Sequence, residues 1–379
     1  MVGRQLSEPE ADLAATLELL CGVAAPSGNE DRLTALIVDT LGGWGLEPRV
    51  DRLGQVSVAL GEDAGPRVMV SAHLDELGLT VRTIDKGGWL GVERLGGVPE
   101  RVLPGTRIVV HTRAGDVPGV VGLKAHHLTL QEEKYIAYPV TQLYVDIGGF
   151  SAEDVRGMGV RVGDPITYQP YWSVLGNGRL AGKALDNRAG VVSLLAYTRR
   201  LQRSVPSNRV YVAFSTQEEF NVRGSLALSA ALRPDIVVNV DISPATDTPD
   251  LAGRGAVRLG GGPILSRLSF HGRGTLGGLV PHPALVRAVE EAAARANVPL
   301  QQSAIVGVVT DAAFLPMADA EGVAAVEVGI PLRYTHSPVE TVQLSDVQAC
   351  IDLLTALTPA LGNIDLQRGE AQLKEGGIG

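Results

Sequence analysis

Cysteine is nearly absent from this chain of 379 residues: there are two, Cys21 and Cys350, far apart in sequence. Two thiols in apolar, helix-patterned surroundings read as free buried side chains, so no disulfide framework is expected and a reducing compartment suits the chain. Aromatic residues are scarce as well, at 4% with three tryptophans, which argues against platforms for stacking bases. Positive charge is outweighed, the formal net charge being −9, and this excludes a broad basic face for a phosphate backbone. No stretch reaches the roughly 18 consecutive apolar residues of a membrane span. Glu8, Glu10 and Asp12 interrupt the start, where a secretion leader would carry its apolar run. The expectation is a cytoplasmic protein with neither nucleic-acid nor membrane partners.

What the chain does have is 45% hydrophobic residues, 46 glycines and length enough for a large core and two domains. Helical spacing over 9–22 and over Asp31–Leu41 brackets the turn Pro26-Ser27-Gly28-Asn29-Glu30. Strands are expected at 47–51, 56–60 and 67–72, the last delivering His73-Leu74-Asp75-Glu76. From Gly78 to Ile166 the helical period disappears. Short alternating segments separated by Gly, Pro and Asp predict a small β-barrel or sandwich inserted into the chain. An α/β pattern then resumes, with Asp186-Asn187 opening a helix and the strand Arg209–Phe214 leading to Ser215-Thr216-Gln217-Glu218-Glu219. A helix over Gly224–Leu232 and a strand ending at Asp241 follow, then an edge strand over Gly262–Phe270 and a helix over Pro283–Asn297. Strand 302–308 leads to Thr310-Asp311, read as the cap of a further helix. Strand 324–329 leads to Tyr334-Thr335-His336-Ser337, and Ser345–Leu361 reads as the last helix before a tail with no apolar face.

Two adjacent carboxylates at the end of a buried strand repel each other, and burial makes each costlier. An isolated Glu-Glu pair ordinarily lies in a solvated loop. Here it keeps company: His73, Glu218 with Glu219, Asp241 and His336 each follow an apolar strand, and Asp186 opens a helix. In open α/β sheets, sites form beyond the carboxyl ends of strands, so these residues could converge. Taken singly, a strand-end His is more often structural, Asp186 a helix cap and Asp241 a turn residue. Two imidazoles and several carboxylates without a thiolate suit zinc, cobalt or manganese rather than a structural Cys-type zinc site.

Five segments carry a resemblance: Ala72-His73-Leu74-Asp75-Glu76-Leu77-Gly78, Lys183-Ala184-Leu185-Asp186-Asn187-Arg188, Ser215-Thr216-Gln217-Glu218-Glu219, Val240-Asp241-Ile242-Ser243-Pro244 and Arg333-Tyr334-Thr335-His336-Ser337-Pro338. In these the chain resembles the tetrahedral aminopeptidases, also called deblocking or glutamyl aminopeptidases, which are dinuclear metallo-exopeptidases. The resemblance implies a three-layer α/β/α zinc-exopeptidase-like catalytic domain formed by residues 1–77 and 167–363. It further implies a small β-barrel-like dimerisation domain at 78–166 and a flexible tail at 364–379. It implies two divalent cations per subunit, zinc first with cobalt or manganese as alternatives. His73 and Asp241 would hold one, Glu219 and His336 the other, and Asp186 would bridge them. Asp75 would orient the His73 ring and Glu218 would be the general base. Peptides would be the substrates, cleaved after the N-terminal residue, and a homo-oligomer, a dimer building to a dodecamer, would be the particle.

The chain departs from the family's usual pattern at Phe220-Asn221 and at Val309, where relatives carry small residues, so no side-chain preference is transferred. His126 and His127 read as structural, and His111, His271 and His282 have no partner pattern. Two alternatives remain at this point. A glycoside hydrolase of endoglucanase type would need two carboxylates about 5–9.5 Å apart and no metal. A metallo-deacetylase or carboxypeptidase on the same core would carry a different inserted domain.

Overall fold

The computed structural model describes residues 12–272 and 277–368. Residues 9–11 of the first expected helix, and residues 369–379 of the expected tail, lie outside these. Four parallel strands form the middle of the main sheet, in spatial order Val210–Ser215, Val68–His73, Ile236–Pro244 and Ala324–Arg333. They are runs of Val, Ala and Ile buried on both faces, as a sheet covered on both sides requires. Antiparallel strands extend the sheet on either side: Val56–Leu60 and Arg49–Val50 at one end, Glu340–Gln343, Arg179–Gly182 and Trp172–Val174 at the other.

The period of two along each strand assigns the faces. Val70, Val212, Phe214 and Val238 join a large core with helices Leu13–Cys21, Asp31–Gly43, Leu185–Arg203, Pro283–Arg295 and Leu344–Leu361. Met69, Ala213, Val237 and Ala325 join a smaller core on the opposite face with helix Gly224–Leu232. The arrangement is three-layered, α/β/α. Both cysteines are free and sit in the large core, where burial pushes each thiol up to about 12 and leaves it unreactive. Among the described residues no helix is long and apolar enough to cross a membrane.

Immediately after His73–Leu77 the chain leaves the sheet for a closed barrel of six antiparallel strands. Around the barrel these run Gly78–Ile84, Leu90–Leu95, Tyr144–Asp146, Gly115–Val121, Arg107–Thr112 and Pro165–Tyr168. Leu79, Val81, Val92, Ile108, Val110 and Ile166 help to fill it. The barrel also carries a helix, Ala152–Gly157, capped by the Ser151 hydroxyl. At six residues it is too short to display a period in the sequence.

Three expectations are corrected. Asp311 does not cap an α-helix: the segment makes two 3₁₀ turns, Asp311–Ala313 and Leu315–Met317, and the Asp311 side chain accepts the Ser215 hydroxyl instead at 2.6 Å. Pro316 accounts for the broken helix, since it brings no N–H and disfavours helical geometry at Leu315. Asp241 does not lie past its strand, which continues to Pro244; the pairing with strand Val68–His73 stops at Asn239 and Ser71, and Asp241 lines the cavity beyond it. Strand Ile264–Phe270 is also more than an edge, pairing with Gln301–Val306, Gly278–Leu279 and Ala324–Arg333.

Beneath the site lies a buried ionic cluster. Lys183 Nζ donates to Glu76 Oε2, and Arg188 donates through Nη1 to the Leu74 carbonyl, through Nε to the Leu20 carbonyl at 3.2 Å and through Nη2 to Glu76 at 3.5 Å. Neither cation is exposed. Together they staple the segment that follows His73 to the start of helix Leu185–Arg203. Breaking a buried pair from one side strands the other charge, at about 3–5 kcal/mol. Lys183→Met is therefore expected to lower the urea denaturation midpoint by an amount equivalent to a loss of that size; an unchanged midpoint would show that the pair carries no stability.

Candidate metal centre

The residues singled out from the sequence come together beyond the carboxyl ends of the four central strands. Parallel register sets Ser215 beside His73 and Asp241 beside Gly329, so the loops leaving these strands open on one side of the sheet. The fifth contribution comes from the start of helix Leu185–Arg203, whose backbone is non-helical at Asp186 and Asn187. Asn187 caps the regular turns that follow: its Oδ1 accepts the Gly190 N–H at 2.9 Å and its Nδ2 donates to the Val240 carbonyl at 2.9 Å. The Asp186 carboxylate is thereby left free to face the cavity.

Asp186 lies between the two imidazoles. Its Oδ1 is 3.3 Å from His73 Nε2 and its Oδ2 is 3.6 Å from His336 Nε2. Asp241 Oδ1 lies 3.5 Å from His73 Nε2, and Glu219 Oε2 lies 3.5 Å from His336 Nε2. Glu218 Oε2 is further from His73, at 3.9 Å. Three overlapping sets of donors fall within 4.8 Å of one another: His73, Asp186 and Asp241; Asp186, Glu219 and His336; and His73, Glu218 and Glu219.

Both rings are oriented by carbonyl groups that can only accept. His73 Nδ1–H donates to the Asp75 carbonyl at 3.1 Å, with the Asp75 carboxylate at 3.4 Å, and His336 Nδ1–H donates to the Gly97 carbonyl at 3.1 Å. Each Nε2 is thus turned toward the acids. Asp75, fully buried, does more than orient a ring. Its oxygens accept the N–H groups of Glu218 at 2.9 Å and Glu219 at 3.0 Å and the Ser27 hydroxyl.

Burial penalises every charge here, and the outcome differs by neighbour. For Glu218 and Glu219 burial acts together with the surrounding carboxylates and pushes both well above the ordinary range, with His73 opposing. Burial also raises Asp241. For Asp186 and Asp75 burial acts upward too, but the imidazoles and hydroxyls facing them prevail and hold both low. Burial alone would lower His73; Asp241, Asp186 and Asp75 outweigh it and raise the imidazole well above its usual value.

The donor set fits divalent cations. Glu219 Oε1 is buried with no hydrogen-bond partner. Among the described residues lining the cavity, which has a volume of about 500 Å³, there is no Lys or Arg to balance Asp186, Glu218, Glu219 and Asp241. An orphaned carboxylate oxygen among like charges is stable only beside a cation or with a proton.

Several residues with positioning roles were not singled out from the sequence. The Glu340 carboxylate accepts the Asp186 N–H at 3.0 Å through one oxygen and the His336 N–H at 2.8 Å through the other. Its place four residues after His336, opening strand Glu340–Gln343, was the available signal. Thr335 donates its hydroxyl to Asp186 Oδ2 at 2.9 Å. Gly97 comes from the barrel, and a Cβ there would meet the His336 ring at 3.0 Å, so the close approach needs glycine. Of the unassigned histidines, His271 lines the cavity, His282 caps helix Pro283–Arg295 and His111 bonds Asp116 and Thr167. His126 and His127 are exposed on the barrel and pack edge to face.

Comparison with known proteins agrees with this geometry. SgcX of Escherichia coli, which carries an aminopeptidase name, is 36% identical over 335 residues, 88% of this chain and 90% of that protein. A TET aminopeptidase from a marine sediment Thaumarchaeota archaeon superposes with a TM-score of 0.86 at 32% identity, over 93% of this chain and 97% of that one. The TET1 peptidase of Pyrococcus horikoshii, which can assemble into a tetrahedron or a large octahedral shell, gives a TM-score of 0.81 at 28% identity, over 91% and 98%. Residues 54–353 match the family described as M42 glutamyl aminopeptidase, and with the site geometry above this places the chain in that family.

Proposed function

We propose that this aminopeptidase works with two divalent cations in the crevice, one held by His73 and Asp241, the other by Glu219 and His336, with Asp186 between them and Glu218 left to move protons. The observation that carries the proposal is the placement of Asp186, with one oxygen turned to each imidazole at 3.3 and 3.6 Å. What a cation pair supplies when bound is Lewis acidity, which polarises the scissile carbonyl and makes water acidic enough to lose a proton near neutral pH.

The chain's own residues do the rest. Glu218 Oε2, farther from His73 Nε2 than the Asp186 and Asp241 oxygens are, takes a proton from the attacking water and gives it to the leaving amine. Burial among carboxylates raises its proton affinity, which suits a group that must accept a proton and then surrender it. Asp75 fixes the backbone of the Glu pair, so that one carboxylate can serve as ligand while its neighbour stays free. Glu340 and the Gly97 carbonyl hold the His336 loop, whose Tyr334 and His336 sit at φ 62° and 67°, a region costly for side-chain-bearing residues.

A homo-oligomer is the expected particle. Leu123, Leu128, Leu130, Tyr135 and Ile136 are exposed in the irregular segment between two barrel strands, and Phe150 is 92% exposed. Apolar side chains presented in this number favour burial against a second copy, and the TET assembly of the P. horikoshii relative supports the same reading.

Three outcomes test the chemistry. Removing metal with a chelator should abolish hydrolysis of an aminoacyl chromogenic amide, and zinc, cobalt or manganese should restore it; hydrolysis that survives chelation would exclude a metal-dependent mechanism. Glu218→Gln should retain its metal yet lose about 10²–10⁴-fold in kcat, and full turnover would remove Glu218 from proton transfer. In His336→Ala the bound metal, measured by atomic emission, should fall from two per subunit to one. Two retained ions would reject His336 as a ligand.

A further inference from the structure

We infer that the side chain preferred at the substrate's N-terminus is uncharged and apolar, of leucine, methionine or phenylalanine size, rather than the glutamate of the family's description. This rests on the active-site reading above and deepens it by naming the substrate class. The cavity of about 500 Å³ has two unlike regions. One holds the carboxylates of the proposed cation sites. The other is built by Ile242 and Pro244 from the end of their strand, by Val308 and Val309, and by Phe314.

The apolar wall lies within reach of the N-terminal residue's side chain. The scissile carbonyl must sit beside Glu218, so the side chain one bond away explores only the cavity's immediate sides. The Val308–Thr310 wall is tied to that spot by two buried hydrogen bonds. Ser215, three residues before Glu218, donates to Asp311 at 2.6 Å, and Thr310 donates to Glu327 at 2.6 Å. A Cβ on Gly277 would meet both the Phe314 ring and Val309 at 3.0 Å, so a glycine is what lets this side close. The wall is thus preformed rather than assembled around the substrate.

Among the described residues this wall offers a charged side chain no lysine or arginine. Its polar members are Asn221, His271, whose buried Nδ1 has no hydrogen-bond partner, and Thr310, whose hydroxyl is donated to Glu327; the carboxylates lining the cavity belong to the proposed cation sites. Of the guanidinium groups that the sequence places nearby, Arg333 and Arg223 are engaged outside it, and Arg273, two residues after His271, lies outside the described residues. Arg333 forms a paired contact with Asp247 at 2.8 and 2.7 Å, and Arg223 lies over the Phe220 ring at 5.0 Å. Phe220 itself is 41% exposed and does not line the cavity, whereas Asn221, the other half of this departure from the family pattern, does. Burying an unpaired carboxylate or ammonium there is heavily penalised, whereas each methylene in an apolar pocket discriminates by about 10–200-fold.

The test is kcat/KM of the purified, metal-loaded full-length enzyme on matched leucyl, methionyl, phenylalanyl, glutamyl and lysyl chromogenic amides. Leucyl or phenylalanyl amide should exceed glutamyl and lysyl amides by on the order of 100-fold. A best rate on the glutamyl or lysyl amide would overturn the apolar pocket while leaving the aminopeptidase chemistry intact. Hydrolysis of none of the five would instead overturn the active-site reading on which the inference rests. A second arm uses Val309→Lys, which should bring the glutamyl-to-leucyl ratio up by about tenfold or more with metal content unchanged. An unchanged ratio in that folded, metal-bound variant would show that the substrate side chain does not meet Val309, and the assignment of the wall would fall.

Discussion

Mutual repulsion among buried acids is the constraint around which this structure is arranged. Asp186, Glu218 and Asp241 are nearly inaccessible and face one another across a few ångströms with only two imidazoles between them. Left to itself such a group would take up protons, and the upward displacement of Glu218, Glu219 and Asp241 expresses that tendency. Divalent charge would resolve it while keeping the acids ionised, so the same repulsion that costs stability without cations would become affinity with them. The gathering is possible because the acids ride on the ends of rigid parallel strands, whose two covered faces pay the energetic cost elsewhere in the molecule.

A second tier of acids distributes that cost into the backbone. Asp75 and Glu340 are as buried as the acids they serve, yet each spends its charge on main-chain N–H groups: Glu218 and Glu219 for Asp75, Asp186 and His336 for Glu340. Charge-assisted bonds of this kind are stronger than neutral ones and are directional. Among the residues they hold, His336 adopts positive φ, which local preference would release. The barrel takes part through the Gly97 carbonyl, which selects the His336 tautomer across the domain boundary. A domain that reads as an insertion in the chain is therefore also part of the wall around one of the proposed cation positions.

Legibility in the sequence followed the range of the interactions. Strands Val68–His73, Val210–Ser215 and Ile236–Pro244 were visible as apolar runs, and because sites gather at strand ends, the acids and histidines after them could be singled out. The barrel was visible as a change of texture, from helical period to short alternating segments with Gly and Pro. What could not be read were contacts whose partners are far apart in sequence: Gly97 with His336, Ser215 with Asp311, and Asp186 with Glu340. Asp311 misled for the same reason, because a Thr-Asp pair before small residues looks like a cap until a distant serine claims the carboxylate. Pro316, visible in the sequence, carried the warning that the helix would not form.

The contrast between the site's two regions bears on how one scaffold can serve different substrates. The acids that would hold cations stand on strand ends and at a helix start, positions fixed by the packing of the whole sheet. Apart from Ile242 and Pro244 at a strand end, the apolar wall stands on a loop and two 3₁₀ turns, joined to the core by Asp311 and Thr310 through single hydrogen bonds. Substituting Val309 or Phe314 disturbs no main-sheet strand, whereas moving His73 or Asp241 would displace two. Selectivity can therefore change by substitution at the wall while the chemistry beside it keeps its geometry, which is why a family description that names glutamate need not fix the preference of a chain whose wall is built from valine, isoleucine, proline and phenylalanine.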